Sequence, residues 1–411
     1  MPAVRDRFSN WSNSVRGLIT ISAIIVVAHA ISGQSRSGNV PQILHENASF
    51  DEADFAQLRS GAVVATSLPT RHKQEVAVYG LVRVEVPGEV FLQSFRDTIA
   101  TKNNPAILEI GRFSAIPNVE DLKTLTMETR DIEDLKKCVV GNCELKLSAQ
   151  MIDQFHKTVD WQSSDYARQA TEVYRSMLVE YVRDYLKRGD SALIEYTDKS
   201  TTVRLLEGQR ALLASLPTNF NDSAQHVDSF STRDLIPIEN TIIWSKIKFG
   251  LKPVLAINHI AIFKSQREFG PQILVLTKQI YANHYFNASI GLTGLATNSA
   301  GDHHEYYLFY ENHSLADGLQ GLFSGIKRKL IEREAVEGLK TILRGTKLRL
   351  DARAGNAPDS GHAPEGSLNS IRLKIPRKQV LFLIICLGIL FMLILATYQR
   401  KASVLRRTPA G

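Results

Sequence analysis

Two cysteines, Cys138 and Cys143, lie in the segment KKCVVGNCELK, and Gly141-Asn142 between them is a turn signal. In an oxidising compartment a disulfide would close this loop and contribute about 2 kcal/mol through loop entropy. Redox-active pairs usually have CxxC spacing, and two thiols alone do not complete a zinc site. We therefore predict a structural disulfide between Cys138 and Cys143, and no metal.

Four histidines, His284, His303, His304 and His313, lie close together in the sequence. His304-Glu305 begins like H-E-x-x-H, a motif in which two imidazoles one helical turn apart face a zinc ion. Position 308 is Leu and the segment has strand composition, so the motif is incomplete. A metal-dependent enzyme that uses these histidines is our third functional hypothesis.

Other catalytic patterns are weaker. Ser324-Gly325-Ile326-Lys327 matches SxxK, but the SDN and KTG elements that accompany it in serine acyltransferases are missing from the sequence. The central region also lacks G-x-S-x-G, a P-loop and G-x-G-x-x-G. We assign no catalytic residue and no cofactor, and we favour a function other than catalysis.

The charge distribution argues against nucleic-acid binding by the main body of the chain. The chain has 411 residues and a formal charge of +7. Residues 1–16 carry +2 and residues 372–411 carry +8, so the 355 residues between them carry 7 − 10 = −3. The basic character therefore comes from two short ends, and nucleic acid is not a predicted partner.

Both ends indicate export and membrane attachment. Residues 1–30 have a basic start, an apolar run at Gly17–Val27 and Ala28-His29-Ala30, which together predict a signal peptide or an uncleaved anchor. Residues 379–399 contain VLFLIICLGILFMLILATY, which predicts a transmembrane helix. The positive charges flanking it are equal, four on each side, so the export signal sets the orientation. We predict a single-pass membrane protein whose bulk is periplasmic or extracellular, with 400–411 as a short cytoplasmic tail.

Between the ends, the predicted fold class is α+β: an antiparallel sheet with long packed helices, plus the C-terminal transmembrane helix. An N-terminal region, 40–217, contains predicted strands at 76–86, 106–113 and 122–128 and an amphipathic helix at 165–188. A second region, 233–350, contains an antiparallel meander and a closing helix at about 317–344. Residues 351–370 are rich in Gly, Ala, Pro and Ser and predict a flexible tether.

This order of elements resembles the START-like, polyketide-cyclase-like helix-grip superfamily. The residues that carry the likeness are VRVEVPGEVFLQSFRD at Val82–Asp97 and the helical segment Ala316–Arg349 after the meander. The resemblance covers 76–100 and 240–349, and it requires a helical insertion between Thr101 and Asp234. It implies an apolar cavity for a lipid, a sterol or a similar hydrophobe.

The leading functional hypothesis is a membrane-anchored, non-catalytic binding protein for a lipid or other hydrophobic ligand. The alternative is an envelope structural or assembly protein that acts as a protein-interaction module. The predicted partners are the lipid bilayer, a hydrophobic small molecule and envelope proteins. The predicted cavity residues are Trp244, Phe249, Ile260, Ile262, Tyr281, Tyr285, Phe286, Tyr307, Phe309, Leu322, Phe323 and Ile326.

Overall fold

The computed structural model describes most of the chain between residues 48 and 354. The described ranges are residue 48, 50–100, 106–215, 235–249, 252–265, 271–300, 303–319 and 324–354. The predicted signal peptide, the 379–399 segment, the cytoplasmic tail and all but the first four residues of the predicted tether lie outside them.

The predicted fold class is wrong in its membrane-spanning element. Within the described ranges, no helix combines the length and the apolar character needed to cross a membrane. The segment 379–399, on which that prediction rested, is not among the described residues. The architecture that the structure supports is α+β, with one large antiparallel sheet and long packed helices.

Helices and strands alternate early in the chain, and a strand meander follows. The helices are α1 Glu52–Arg59, α2 Gly88–Ala100, α3 Thr129–Leu135, α4 Ala149–Thr158, α5 Tyr166–Arg188, α6 Leu205–Ser215 and α7 Ser324–Ala354. The strands are β1 Val64–Ser67, β2 Glu75–Val84, β3 Ile107–Arg112, β4 Glu195–Tyr196, β5 Val203–Arg204, β6 Leu235–Ile247, β7 Val254–Ser265, β8 Pro271–Ala282, β9 Phe286–Ala300 and β10 His303–Ala316. Single 3-10 turns lie at Val119–Leu122, Gly189–Ala192 and Asp317–Leu319.

Eight strands form one antiparallel sheet in the order β1-β2-β10-β9-β8-β7-β6-β3, and β4 pairs with β5 separately. The last strand of the meander, β10, returns to pair with β2 over the register Tyr306↔Val84 to Leu315↔Glu75. At the other edge, β3 pairs with β6. Strands from the predicted regions 40–217 and 233–350 therefore share one sheet and contribute to the cores on both of its faces.

Helices cover both faces of this sheet. Because side chains alternate along a strand, Tyr307 and Phe309 of β10 enter one core while Leu308 enters the other. We call residues 106–215, which lie between α2 and the meander, the insertion, and the first side the insertion face, since α3, α4, α5 and α6 pack there. The second is the α7 face, where α2 and α7 pack.

The helix α7 lies very close to β2. A Cβ atom at Gly80 would come within 2.6 Å of Leu343 Cδ1 and 2.9 Å of Leu339 Cδ2, so only glycine permits this approach. The helix continues to Ala354, which makes the first four residues of the predicted tether helical. Leu350, which directly precedes these four residues, is fully buried in the core on the α7 face.

Two predicted elements of the insertion have different outcomes. The helix predicted at 165–188 is α5, and its buried stripe packs against the sheet. The strand predicted at 122–128 is absent from the described structure. That segment is the end of a 3-10 turn followed by a loop, in which Leu122 and Leu125 enter the insertion core.

Candidate functional site

The structure divides the predicted cavity residues between the two faces of the sheet. Trp244, Tyr281, Tyr307 and Phe309 lie in the insertion core, whereas Ile260 and Ile262 lie in the α7 core. The aromatic ones are fixed by packing and hydrogen bonds. The Trp244 indole N–H donates to Asp121 O at 2.8 Å, and the Tyr281 hydroxyl donates to Lys146 O at 3.0 Å. These six residues therefore do not line a common cavity.

Three more predicted cavity residues have no described side-chain surroundings. Leu322 and Phe323 lie outside the described residues, and Ile326 lies in the first turn of α7. The remaining three, Phe249, Tyr285 and Phe286, are brought together.

We call Phe249, Tyr285 and Phe286 the aromatic end. The β6–β7 and β8–β9 connections lie at the same end of the strands, because adjacent strands are antiparallel. There the Phe249 ring centroid lies 5.6 Å from that of Tyr285 and 4.9 Å from that of Phe286. All three residues are partly exposed. They form a contiguous apolar surface, with the rings too close for a group to insert between them.

The turn that carries two of these rings, Asn283–Asn287, is held at each residue. Asn283 accepts from Leu255 N through its side chain at 2.8 Å and its carbonyl accepts from Lys146 N at 2.9 Å. Asn287, the last residue of the turn, accepts a hydrogen bond from Lys146 Nζ at 2.7 Å. A turn fixed in this way presents its aromatic side chains in one geometry, at low entropic cost on binding.

Tyr285 has a strained backbone, with φ of 61° in a bulky residue. Its carbonyl accepts from Asp317 N at 2.9 Å, and its hydroxyl accepts from Lys252 N at 3.1 Å. Such a conformation costs of order 1–3 kcal/mol and persists only where surrounding contacts enforce it. Strain of this kind is enriched at binding sites, which makes this turn the first candidate for a functional site.

Below the rings lies a buried ionic group on α3 and the start of β7. Lys252 Nζ lies 3.1 Å from Asp131 Oδ1 and 2.9 Å from Asp134 Oδ2, and His284 Nε2 lies 2.9 Å from Asp131 Oδ2. Burial alone would raise the pKa of Asp131, but His284 and Lys252 outweigh it and lower that pKa. Burial would likewise lower the pKa of Lys252, whereas Asp134 and Asp131 raise it. Both groups are thus held in their charged forms.

A second lysine supports the turn from the other side. Lys146 is buried, lies 2.9 Å from Asp317 Oδ2 and stands 4.7 Å above the Tyr196 ring centroid. Asp198 is also buried nearby, and desolvation raises its pKa despite the charge of Lys146. The two lysines tie the turn to α3 and to the segment after the disulfide loop.

The pocket next to this ionic group is small. It is lined by residues that include Asp131, Tyr174, Lys246 and Leu255, and its volume is about 10 Å³. One water molecule needs about this much space, whereas ligand cavities typically measure 300–1,000 Å³. This pocket therefore does not admit a lipid chain.

Three of the four histidines of the metal hypothesis, His284, His304 and His313, are not assembled into a site, and the side chain of His303 lies outside the described part of the structure. His284 pairs with Asp131, whereas His313 is fully buried between Glu75 and Glu311, each 2.8 Å away. His304 is exposed nine residues from His313 along β10, roughly 30 Å at the rise of an antiparallel strand. Among the described residues, no group of His, Cys, Asp and Glu has the arrangement of a metal site.

Cys138 and Cys143 are joined by a disulfide, and both residues are buried. The loop they close is fixed to the body, since Gly141 N donates to Thr197 O at 2.7 Å and Cys143 N donates to Asp198 O at 2.9 Å. Gly141 has φ of +87°, which a glycine accommodates without strain. The disulfide is thus a structural part of the layer that supports Lys146.

Comparison with known proteins finds no matching family model, no similar characterised protein and no similar solved structure. The function is therefore inferred from the residues of the candidate site.

The ionic support of the site is what sequence reasoning missed. Lys252 and Asp134 are 118 residues apart in the chain, so no local spacing links them. The one local signal was the segment NHYFN at 283–287, where polar and aromatic residues replace the apolar alternation of the flanking strands.

Proposed function

We propose that this chain is an exported, non-catalytic protein-interaction module, and that the aromatic end is its contact surface. The observation that carries the proposal is the strained, fully anchored turn at 283–287, which keeps partly exposed rings next to Phe249. Binding hot spots are enriched in aromatic side chains whose geometry is fixed before binding.

Two further observations support this proposal. Both faces of the sheet are covered by helices, so the strand ends are where the meander presents aromatic side chains to solvent. The Cys138–Cys143 disulfide agrees with an oxidising, exported location, since such bonds are rare in the cytosol.

Site-specific photo-crosslinking in the full chain tests the proposal. A benzophenone amino acid at Lys248, which is exposed and adjacent to Phe249, should give one discrete protein adduct in the host cell. Adding Phe249→Ser should remove that adduct. Ile116 is the matched control position, since it is 79% exposed and lies on the loop after β3, outside the proposed surface.

The proposal fails if Lys248 and Ile116 give the same adducts, or if Phe249→Ser leaves the Lys248 adduct unchanged. An adduct with twice the mass of the chain would identify the partner as a second copy.

A second candidate function is binding of a lipid or another hydrophobe, as the resemblance to START-like proteins implies. The element order favours it: β2, the Pro87-Gly88 turn, α2, the five-stranded meander and α7 occur in the order that the resemblance requires, with residues 106–215 between α2 and the meander. The contact of Leu343 with Gly80 opposes it, because it leaves no gap between α7 and β2 at that point. Native mass spectrometry of the full chain purified from its host distinguishes lipid binding from the protein-interaction function. One stoichiometric lipid retained by the chain would favour lipid binding.

A further inference from the structure

The ionic groups beneath the aromatic end orient their charges in a specific way. In two of the three lysine–aspartate pairs the lysine is the more deeply buried member, whereas in Lys252–Asp131 the aspartate is, at 4% against 13% exposed. The Lys146 side chain is 3% exposed against 35% for Asp317, and the Lys252 side chain is 13% exposed against 27% for Asp134. Solvent at this edge therefore meets carboxylate oxygens rather than ammonium groups.

Charges of both signs lie beside the rings. The carboxylates of Asp134 and Asp317 are partly exposed, and Lys248 next to Phe249 is exposed. A cationic group that approached either carboxylate would be attracted to it locally.

The carboxylates also lie next to the rings. Asp317 N donates to the carbonyl of Tyr285, so that residue borders the aromatic end on one side. Lys252 N donates to the Tyr285 hydroxyl while its Nζ binds Asp134, so Asp134 is joined to the aromatic end through Lys252. Aromatic faces flanked by carboxylates are the environment that a guanidinium group prefers, because it stacks on a ring and donates paired hydrogen bonds to a carboxylate.

We infer that the partner is a protein segment that places an arginine beside an apolar side chain on the aromatic end. This inference rests on the proposed function and adds the chemistry of the partner to it. The apolar side chain would pack on Phe249 and Phe286, and the guanidinium would lie over an outer ring face within reach of Asp317 or Asp134.

Matched peptides test this inference on the full chain. The probe is acetyl-Gly-Leu-Arg-Leu-Gly-amide, and its control replaces arginine with citrulline, which has nearly the same shape without the charge. The arginine peptide should compete with the Lys248 cross-link at about tenfold lower concentration than the citrulline peptide, and added salt should narrow that ratio.

Neutralising the carboxylates separates this inference from the proposed function. Asp134→Asn with Asp317→Asn should bring the peptide ratio close to one, and competition by the citrulline peptide at an unchanged concentration should show that the turn still presents the rings. Asp134→Asn alone provides a milder variant, since Lys252 keeps its contact with Asp131 if the double variant folds poorly. Phe249→Ser should remove competition by both peptides.

Equal competition by the two peptides in the native chain would overturn the arginine assignment, while a ring-dependent cross-link would still support the interaction module. Loss of both the ring dependence and the peptide effect would remove the proposed function as well. Ring-dependent binding to phosphatidylcholine vesicles, without peptide competition, would overturn the inference in favour of a lipid head group.

Discussion

The fully buried group Glu75–His313–Glu311 makes a definite prediction about stability and pH. Glu75 at the start of β2 and Glu311 on β10 each lie 2.8 Å from a different nitrogen of His313, and Ser215 at the end of α6 donates to Glu75 at 3.0 Å. This order does not form a catalytic triad, because the serine contacts the carboxylate and not the imidazole. The group instead joins the last helix of the insertion to the sheet.

The size of the effect follows from the pKa of His313. Burial alone would lower it, but hydrogen bonds to Glu311 and Glu75 and their charges raise it from 6.5 to about 9. At about 1.4 kcal/mol per pKa unit, a shift of this size is worth roughly 3 kcal/mol. Since the folded pKa is the higher one, this stabilisation is fully present below pH 6.5 and is lost as pH rises through 9.

The assay is urea unfolding of the native chain and of His313→Gln at pH 6, 7, 8, 9 and 10. Titratable groups outside this cluster are shared by both proteins, so the difference between them reports the Glu75–His313–Glu311 group as a whole. The free energy of unfolding of the native chain should fall by about 3 kcal/mol more than that of the variant between pH 6 and pH 10. Parallel curves for the two proteins would refute the reasoning, because they would mean that His313 is not charged in the folded state.

Three further predictions concern single contacts. Tyr79 is fully buried and its hydroxyl has no hydrogen-bond partner among the residues that the structure describes, so Tyr79→Phe should raise the free energy of unfolding by about 1 kcal/mol in urea titrations; a loss of stability would show that the hydroxyl is bonded. Gly80→Ala should destabilise by about 1–3 kcal/mol, because its Cβ would overlap Leu343, whereas Gly318→Ala meets nothing within 4 Å and serves as control. Replacing Cys138 and Cys143 together with serine should lower the free energy of unfolding by about 2 kcal/mol under oxidising conditions. The difference between the variant and the native chain should vanish when the native chain has first been denatured and reduced.

The strands and the long helix α5 could be predicted because their signals are local. Alternation fixes a strand and a 3,4 pattern fixes a helix whatever surrounds them. The side of the sheet on which each strand residue lies could not be predicted in the same way. An extra residue between Pro237 and Glu239 in β6 and another at Ile280 in β8 change the phase of the alternation along those two strands. Along β7 the alternation is regular, but no local signal shows which set of residues faces which side, and the predicted cavity residues therefore came from both faces.

The insertion explains why the candidate site lies at a strand end. A five-stranded meander with one covering helix would leave the opposite face of the sheet in water, and a ligand or partner could bind there. In this chain α5 occupies that face, and Tyr174 on α5 hydrogen-bonds to Tyr281 on β8 at 2.9 Å. The same insertion supplies Asp131, Asp134 and Lys146, which hold the 283–287 turn in its strained form. It therefore fills the sheet face and builds the support for the aromatic end at the same time, and loss of the α3 carboxylates should release the turn before it affects the sheet.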